Sequence, residues 1–143
     1  MPGATGGMFA GHTSNGLILV IDDEPDVRKV VRMILTRAGY DVIEAEDGEK
    51  AIQLINEGEN PLLVDVIIID IRMPNINGVQ AIFYFQLQYP RVPVIVLTGY
   101  PDMDMATGFI KKGIVDYLVK PAENEKLLQS VARAIEQREL HSL

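Results

Sequence analysis

The stretch "VIIIDIRMPNING", Val66 to Gly78, decides the fold. Four branched apolar residues run without alternation into Asp70, and a loop bearing proline and asparagine follows. An apolar run of both parities marks a strand covered on both faces, as in a parallel sheet. An unpaired charge inside such a strand would cost several kcal/mol, so Asp70 belongs at the strand's mouth.

Outward from this strand the same alternation repeats. "LILVI" (17–21), "YDVIEA" (40–45), "VDVIII" (64–69), "VPVIVLT" (92–98) and "VDYLVK" (115–120) read as strands. Between the first two, Val27, Val30, Val31, Ile34, Leu35 and Ala38 follow one helical face, with Pro25 in the first turn and Gly39 as C-terminal cap. "GEKAIQLIN" (48–56), "VQAIFYFQLQ" (79–88), "DMDMATGFIKK" (102–112) and "NEKLLQSVARAIEQRE" (124–139) supply four more helices. Five strands alternating with five helices imply a doubly wound α/β fold, because parallel neighbours need right-handed crossovers. The five-strand order of such folds is 2-1-3-4-5, the flavodoxin-like arrangement, with the ligand crevice beyond the carboxyl ends of the first and third strands.

Composition narrows the function classes. The 143 residues fit one domain, and 48% of them are hydrophobic, enough for a sizeable core. A formal net charge of −7 sets the surface against phosphate backbones and anionic lipid, so neither direct nucleic-acid contact nor membrane binding is expected. The absence of cysteine excludes a disulfide framework and thiolate chemistry and fits a cytoplasmic protein. No apolar run approaches the roughly 18 residues of a membrane span. Residues 1–15, "MPGATGGMFAGHTSN", have no signal-peptide pattern and read as a disordered tail or vector-encoded leader, leaving 16–143 as the folded domain. His12 and His141 fall in the tails and are given no role, and Lys111 and Lys112 read as a helix C-terminal cap.

The strand ends carry the chemistry. Asp22 and Asp23 follow the first strand, Asp70 the third, Thr98 the fourth and Lys120 the fifth. Crowded carboxylates repel one another unless a cation sits among them, and an all-oxygen set favours Mg2+ over zinc. An ammonium and a hydroxyl facing such a centre suit a phosphoryl group in transfer, with Asp70 as the nucleophile that forms an acyl phosphate. Taken alone, Asp22-Asp23-Glu24 also fits plain N-terminal capping of the helix that follows.

These motifs resemble the receiver domain of two-component response regulators, the CheY-like family. The resemblance runs from about Leu17 to Glu139 on "VIDDEP", "DIRMPNINGV", "VLTGY" and "YLVKP". It implies a bacterial phosphoprotein that accepts a phosphoryl group on Asp70 from a sensor histidine kinase or phosphotransfer protein. It further implies Mg2+ held by Asp23, Asp70 and the backbone carbonyl of Arg72, with Asp22 acting through water, and Thr98 and Lys120 on the phosphoryl oxygens. Thr98 and Tyr117 would be the switch pair, transmitting phosphorylation to the face of the fourth helix, fifth strand and fifth helix, where a homodimer or an effector would bind. Arg72 and Tyr100, two residues past Asp70 and Thr98, would tune how fast the phosphate is lost. Two departures stand out: Ala122 occupies a place where the family often has an aromatic, and "NEGENPLLVDV" is a long link into the third strand. The 23 residues after Lys120 hold one helix and no effector domain, so the chain reads as a stand-alone receiver or a piece of a longer regulator.

Two other functions share parts of this pattern. A haloacid-dehalogenase-like phosphatase needs a second aspartate two residues past its nucleophile, and Arg72 stands there. A flavodoxin-like carrier cradles phosphate in a Ser/Thr/Gly-rich loop after the first strand, where this chain has "DDEP". The sequence therefore favours a signalling domain that assists its own phosphorylation and dephosphorylation over an enzyme that turns over a substrate.

Overall fold

The computed structural model describes residues 13–73 and 77–141, with the side chain of His141 outside the description. Five strands, β1 (Leu17–Ile21), β2 (Asp41–Ala45), β3 (Val64–Ile69), β4 (Val94–Thr98) and β5 (Asp116–Val119), form one parallel sheet in the order β2-β1-β3-β4-β5. Around it lie α1 (Pro25–Arg37), α2 (Gly48–Ile55), α3 (Asn60–Leu63), α4 (Gly78–Gln88), α5 (Met103–Lys111) and α6 (Asn124–His141). This is the flavodoxin-like, CheY-like order that the alternation of elements predicts.

The lack of alternation in the strands has a direct structural cause. Leu19, Ile21, Ile67, Ile69, Val94 and Val96 pack on one side of the sheet with Ala51, Ile55, Ile82 and Phe85. Ile18, Val20, Val66, Ile68, Ile95 and Leu97 pack on the other with Val31, Leu35, Leu127 and Val131. The three central strands, β1, β3 and β4, are thus apolar on both parities because each parity meets helices. The helices are unequally anchored: α4 buries Ala81, Ile82 and Phe85, whereas Phe109 is the one buried residue of α5.

Two glycines place the ends of helices. Gly39 has a left-handed φ of +92° just past α1, and a Cβ there would stand 2.5 Å from the Asn15 amide nitrogen. Gly78 opens α4 against the loop after β3, and its Cβ would lie 2.3 Å from both the Asp70 carbonyl oxygen and Ile71 Cα. Only a residue without a side chain lets α4 start there.

The structure departs from the sequence reading in two places. "NEGENPLLVDV" contains the extra helical turn α3, so the five expected helices are six among the described residues. Its Leu62 and Leu63 are exposed, and four residues are too few to show a helical period. The expected tail of residues 1–15 is described only from Thr13, the rest, with His12, lying outside the described residues. Asn15 is fastened to the end of α1, donating from its backbone N–H to Gly39 O and from its side chain to Ala38 O, both at 2.9 Å. As expected, Lys111 and Lys112 end α5, with Lys112 as the C-cap residue and its ammonium over the Phe83 ring at 4.7 Å. Ala122, the aromatic's substitute, packs against the α1/α6 side of the core.

Candidate functional site

Parallel strands ending together bring Asp22, Asp70, Thr98 and Lys120 to one edge of the sheet. Asp22 follows β1 and is tied on three sides. Its backbone N–H donates to Ala45 O at 3.1 Å, its carbonyl accepts from Arg28 Nη1 at 2.6 Å, and its Oδ1 accepts from the Glu24 N–H at 2.9 Å. Arg28 itself is steadied by Glu44 of β2 at 3.3 Å, and Arg32 shares the same carboxylate at 2.5 Å. The outlying strand thus supplies no group to the mouth but holds the loop that does.

Asp70 follows β3, where its N–H donates to Ile21 O at 3.0 Å and its Oδ1 accepts from the Arg72 N–H at 3.0 Å. Both carboxylates are nearly closed off, Asp22 at 2% and Asp70 at 4% exposure. What makes such burial tolerable is Lys120. Its Nζ lies 2.7 Å from Asp22 Oδ2, 2.8 Å from Asp70 Oδ2 and 2.9 Å from Glu24 Oε2. Burial pushes the Asp22 carboxyl above the usual aspartate range, with the hydrogen bond to Lys120 holding it back in part. For Lys120 burial works to lower the pKa, but the hydrogen bonds to Asp22, Asp70 and Glu24 outweigh it and leave the ammonium above the ordinary lysine value.

Thr98 is fully buried, and its Oγ1 accepts from the Tyr100 N–H at 3.1 Å. Since Ile69 pairs with Val96, Thr98 stands about one residue farther out on its strand than Asp70 does on β3. Tyr117 pairs with Val96 on β5, and its ring stacks on Phe109 of α5 with centroids 6.5 Å apart. Its hydroxyl accepts from the Asp102 N–H, at 3.3 Å, just ahead of α5. Arg72 and Tyr100, expected on the flanking loops, are joined: the guanidinium carbon lies 4.4 Å from the ring centroid.

One carboxylate oxygen from each of Asp22, Asp23, Glu24 and Asp70 falls within 4.8 Å of the others, an oxygen-only donor set with two buried and two exposed members. That chemistry fits a hard divalent cation and offers nothing to a thiophilic one. Two contributors were not legible as such in the sequence. Glu24 occupies the N-cap position of α1 but makes no capping bond, its carboxylate turning to Lys120. Arg28 looks like any solvent-facing residue of α1, and only the fold aims it at Asp22.

Comparison with known proteins agrees with this geometry. The sequence profile of the response regulator receiver domain matches residues 18–132. The transcriptional regulatory protein GlrR of Escherichia coli is 32% identical over 84% of this chain and 26% of its own length. The C4-dicarboxylate transport transcriptional regulatory protein DctD of Pseudomonas aeruginosa is 33% identical over 92% of this chain and 28% of its own. This chain thus spans about a quarter of these relatives. A crystal structure of a response regulator receiver domain protein from Clostridium thermocellum superposes with a TM-score of 0.81 and 31% identity, covering 87% of this chain and 98% of that one.

Proposed function

Because this chain belongs to the response regulator receiver domain family, a family of two-component phosphoacceptors, we propose that it acts in the cytoplasm, that Asp70 is its phosphorylation site and that a sensor histidine kinase or phosphotransfer protein is the donor. The observation that carries the assignment is the Asp70 carboxylate, buried, pinned through Oδ1 by the Arg72 N–H, with Oδ2 2.8 Å from Lys120 Nζ. An oxygen so oriented attacks phosphorus in line while the bond from phosphorus to the imidazole nitrogen of the donor breaks. The electron pair leaves with that nitrogen, which takes a proton from solvent. Lys120 then lies within reach of an equatorial phosphoryl oxygen.

Asp22, Asp23, Asp70 and the backbone carbonyl of Arg72 are the groups suited to hold Mg2+, which would neutralise charge developing on the phosphoryl oxygens. Thr98, one residue beyond Asp70 at the sheet edge, would donate its hydroxyl to the same oxygens. A Thr98 drawn toward the phosphoryl group gives up its bond from Tyr100, and Tyr117, on the same side of the sheet, follows by leaving Asp102 and Phe109. The extra turn α3 makes the responding face α5, β5 and α6 in this chain, and that face is where a second copy or an effector would dock. The same groups serve to speed both the gain and the loss of the phosphate.

Incubation with acetyl phosphate and Mg2+, followed by intact-mass measurement, tests the assignment. Wild type gains one increment of about 80 Da, the mass of a phosphoryl group, only when the cation is present. An Asp70→Asn protein that labels as well as wild type would end the assignment.

A further inference from the structure

The Lys120 ammonium has three N–H donors and meets three carboxylates, so in this structure it has none left for a newcomer. The three acids are not equivalent. Asp22 is held by Glu24 N and through its carbonyl by Arg28, and Asp70 is held by Arg72 N. The Glu24 side chain is 60% exposed, and among the described residues Lys120 is its one partner. It therefore covers the ammonium from the solvent side, the side from which a phosphodonor arrives.

We propose that Glu24 is a gate on phosphotransfer: its carboxylate holds the Lys120 contact that a phosphoryl oxygen takes over, so every phosphorylation begins by displacing it. The inference rests on the reading of Asp70 as the phosphoacceptor. Two anions cannot share one N–H, and the acid that yields is the exposed one, whose pairing in water is weak and salt-sensitive. Until it yields, its charge also repels the donor. With acetyl phosphate, the Asp70 oxygen attacks phosphorus, the bond from phosphorus to the acetyl oxygen breaks, and acetate leaves with the electron pair. Donors carrying more negative charge feel Glu24 more strongly, which makes it a specificity-determining residue. A unit charge about 5 Å away in a water-like dielectric is worth roughly a fivefold change in rate.

Initial rates of mass labelling, taken at saturating Mg2+ with acetyl phosphate and with the less negative phosphoramidate, test this on wild type, Glu24→Gln and Glu24→Asp. Glu24→Gln is expected to label about fivefold faster with acetyl phosphate at low ionic strength, with a smaller gain for phosphoramidate and a smaller gain in high salt. Glu24→Asp keeps the charge on a shorter reach and should fall between. Unchanged or slower labelling of Glu24→Gln overturns the gate, and so does a tenfold loss of Mg2+ affinity in the same variant, which would make Glu24 a metal ligand instead. Wild type that takes no label at all removes the phosphoacceptor reading and the gate with it, whereas a labelled wild type with an indifferent Glu24→Gln removes the gate alone.

Discussion

Lys120→Ala separates the cost of the site from its use. The substitution leaves Asp22 and Asp70, both nearly closed to solvent, with no counter-ion between them. Removing one partner of a buried pair costs about 3–5 kcal/mol, a large part of the 5–15 kcal/mol that holds a domain of this kind together. Glu24 adds nothing to that figure, being exposed. Two signatures distinguish this loss from a mere packing defect. Burial already holds the Asp22 carboxyl above the usual aspartate range, and without the Lys120 hydrogen bond it rises further, so the folded variant binds more protons than the unfolded chain and gains more stability than wild type as the pH falls from 7 toward 5. In wild type Lys120 holds the ammonium contribution throughout this range, because its raised pKa loses protons only in strong alkali. The gap between the two proteins therefore narrows in mild acid. Mg2+ narrows it only to the extent that the variant binds the cation more tightly than wild type: at 100 times its dissociation constant a cation stabilises either protein by about 2.7 kcal/mol, and the variant should bind it at least as tightly while failing to respond to phosphodonor. Urea unfolding with and without MgCl2 at pH 7 and pH 5 measures all of this. A Lys120→Ala midpoint within about 1 kcal/mol of wild type at pH 7 without cation, or a loss of Mg2+ binding, would refute the reasoning.

Gly78→Ala puts a carbon 2.3 Å from the Asp70 carbonyl and Ile71 Cα, so α4 must withdraw. A loss of about 1–3 kcal/mol in thermal unfolding is expected, together with weaker Mg2+ binding because the Asp70 loop moves with it. Arg72 and Tyr100 stack on each other, and neither side chain carries a carboxylate or amide to orient an attacking water. An Arg72→Asn, Tyr100→Glu double variant is expected to lose phosphate roughly 10- to 100-fold faster than wild type at saturating Mg2+, read as a phosphate-release time course; equal rates would free both residues of that role.

The fold was legible because burial on both faces leaves its mark in the central strands β1, β3 and β4: Val66 to Ile69 cannot be read any other way once such runs alternate with helical periods. Asp22, Asp70, Thr98 and Lys120 were legible for the same reason, each being the first polar residue after an apolar run. What the sequence hid is side-chain aim. Glu24 sits where acids commonly favour a helix dipole, and only the position of Lys120, 96 residues later, turns it to another purpose. Arg28 and Glu44 belong to different elements whose closeness depends on β2 lying beside β1. Asn15 looked like tail because its two bonds go to a helix end that local pattern cannot see, and α3 is too short to have a period.

The single buried residue of α5 sets the scale of force needed to reset this domain. Burying a phenylalanine is worth about 1.5–3 kcal/mol, and that is most of what keeps α5 seated. One or two hydrogen bonds to a charged phosphoryl group, at about 1.5–3 kcal/mol each, are already of the same size. α4, with Phe85, Ile82 and Ala81 in the core, would resist such a pull several times over. With Asp70 phosphorylated as proposed, the domain would work as a balance with one light pan: the mouth is assembled on stiff, deeply seated strands while a covalent change of a few atoms would be enough to tip the helix beside it.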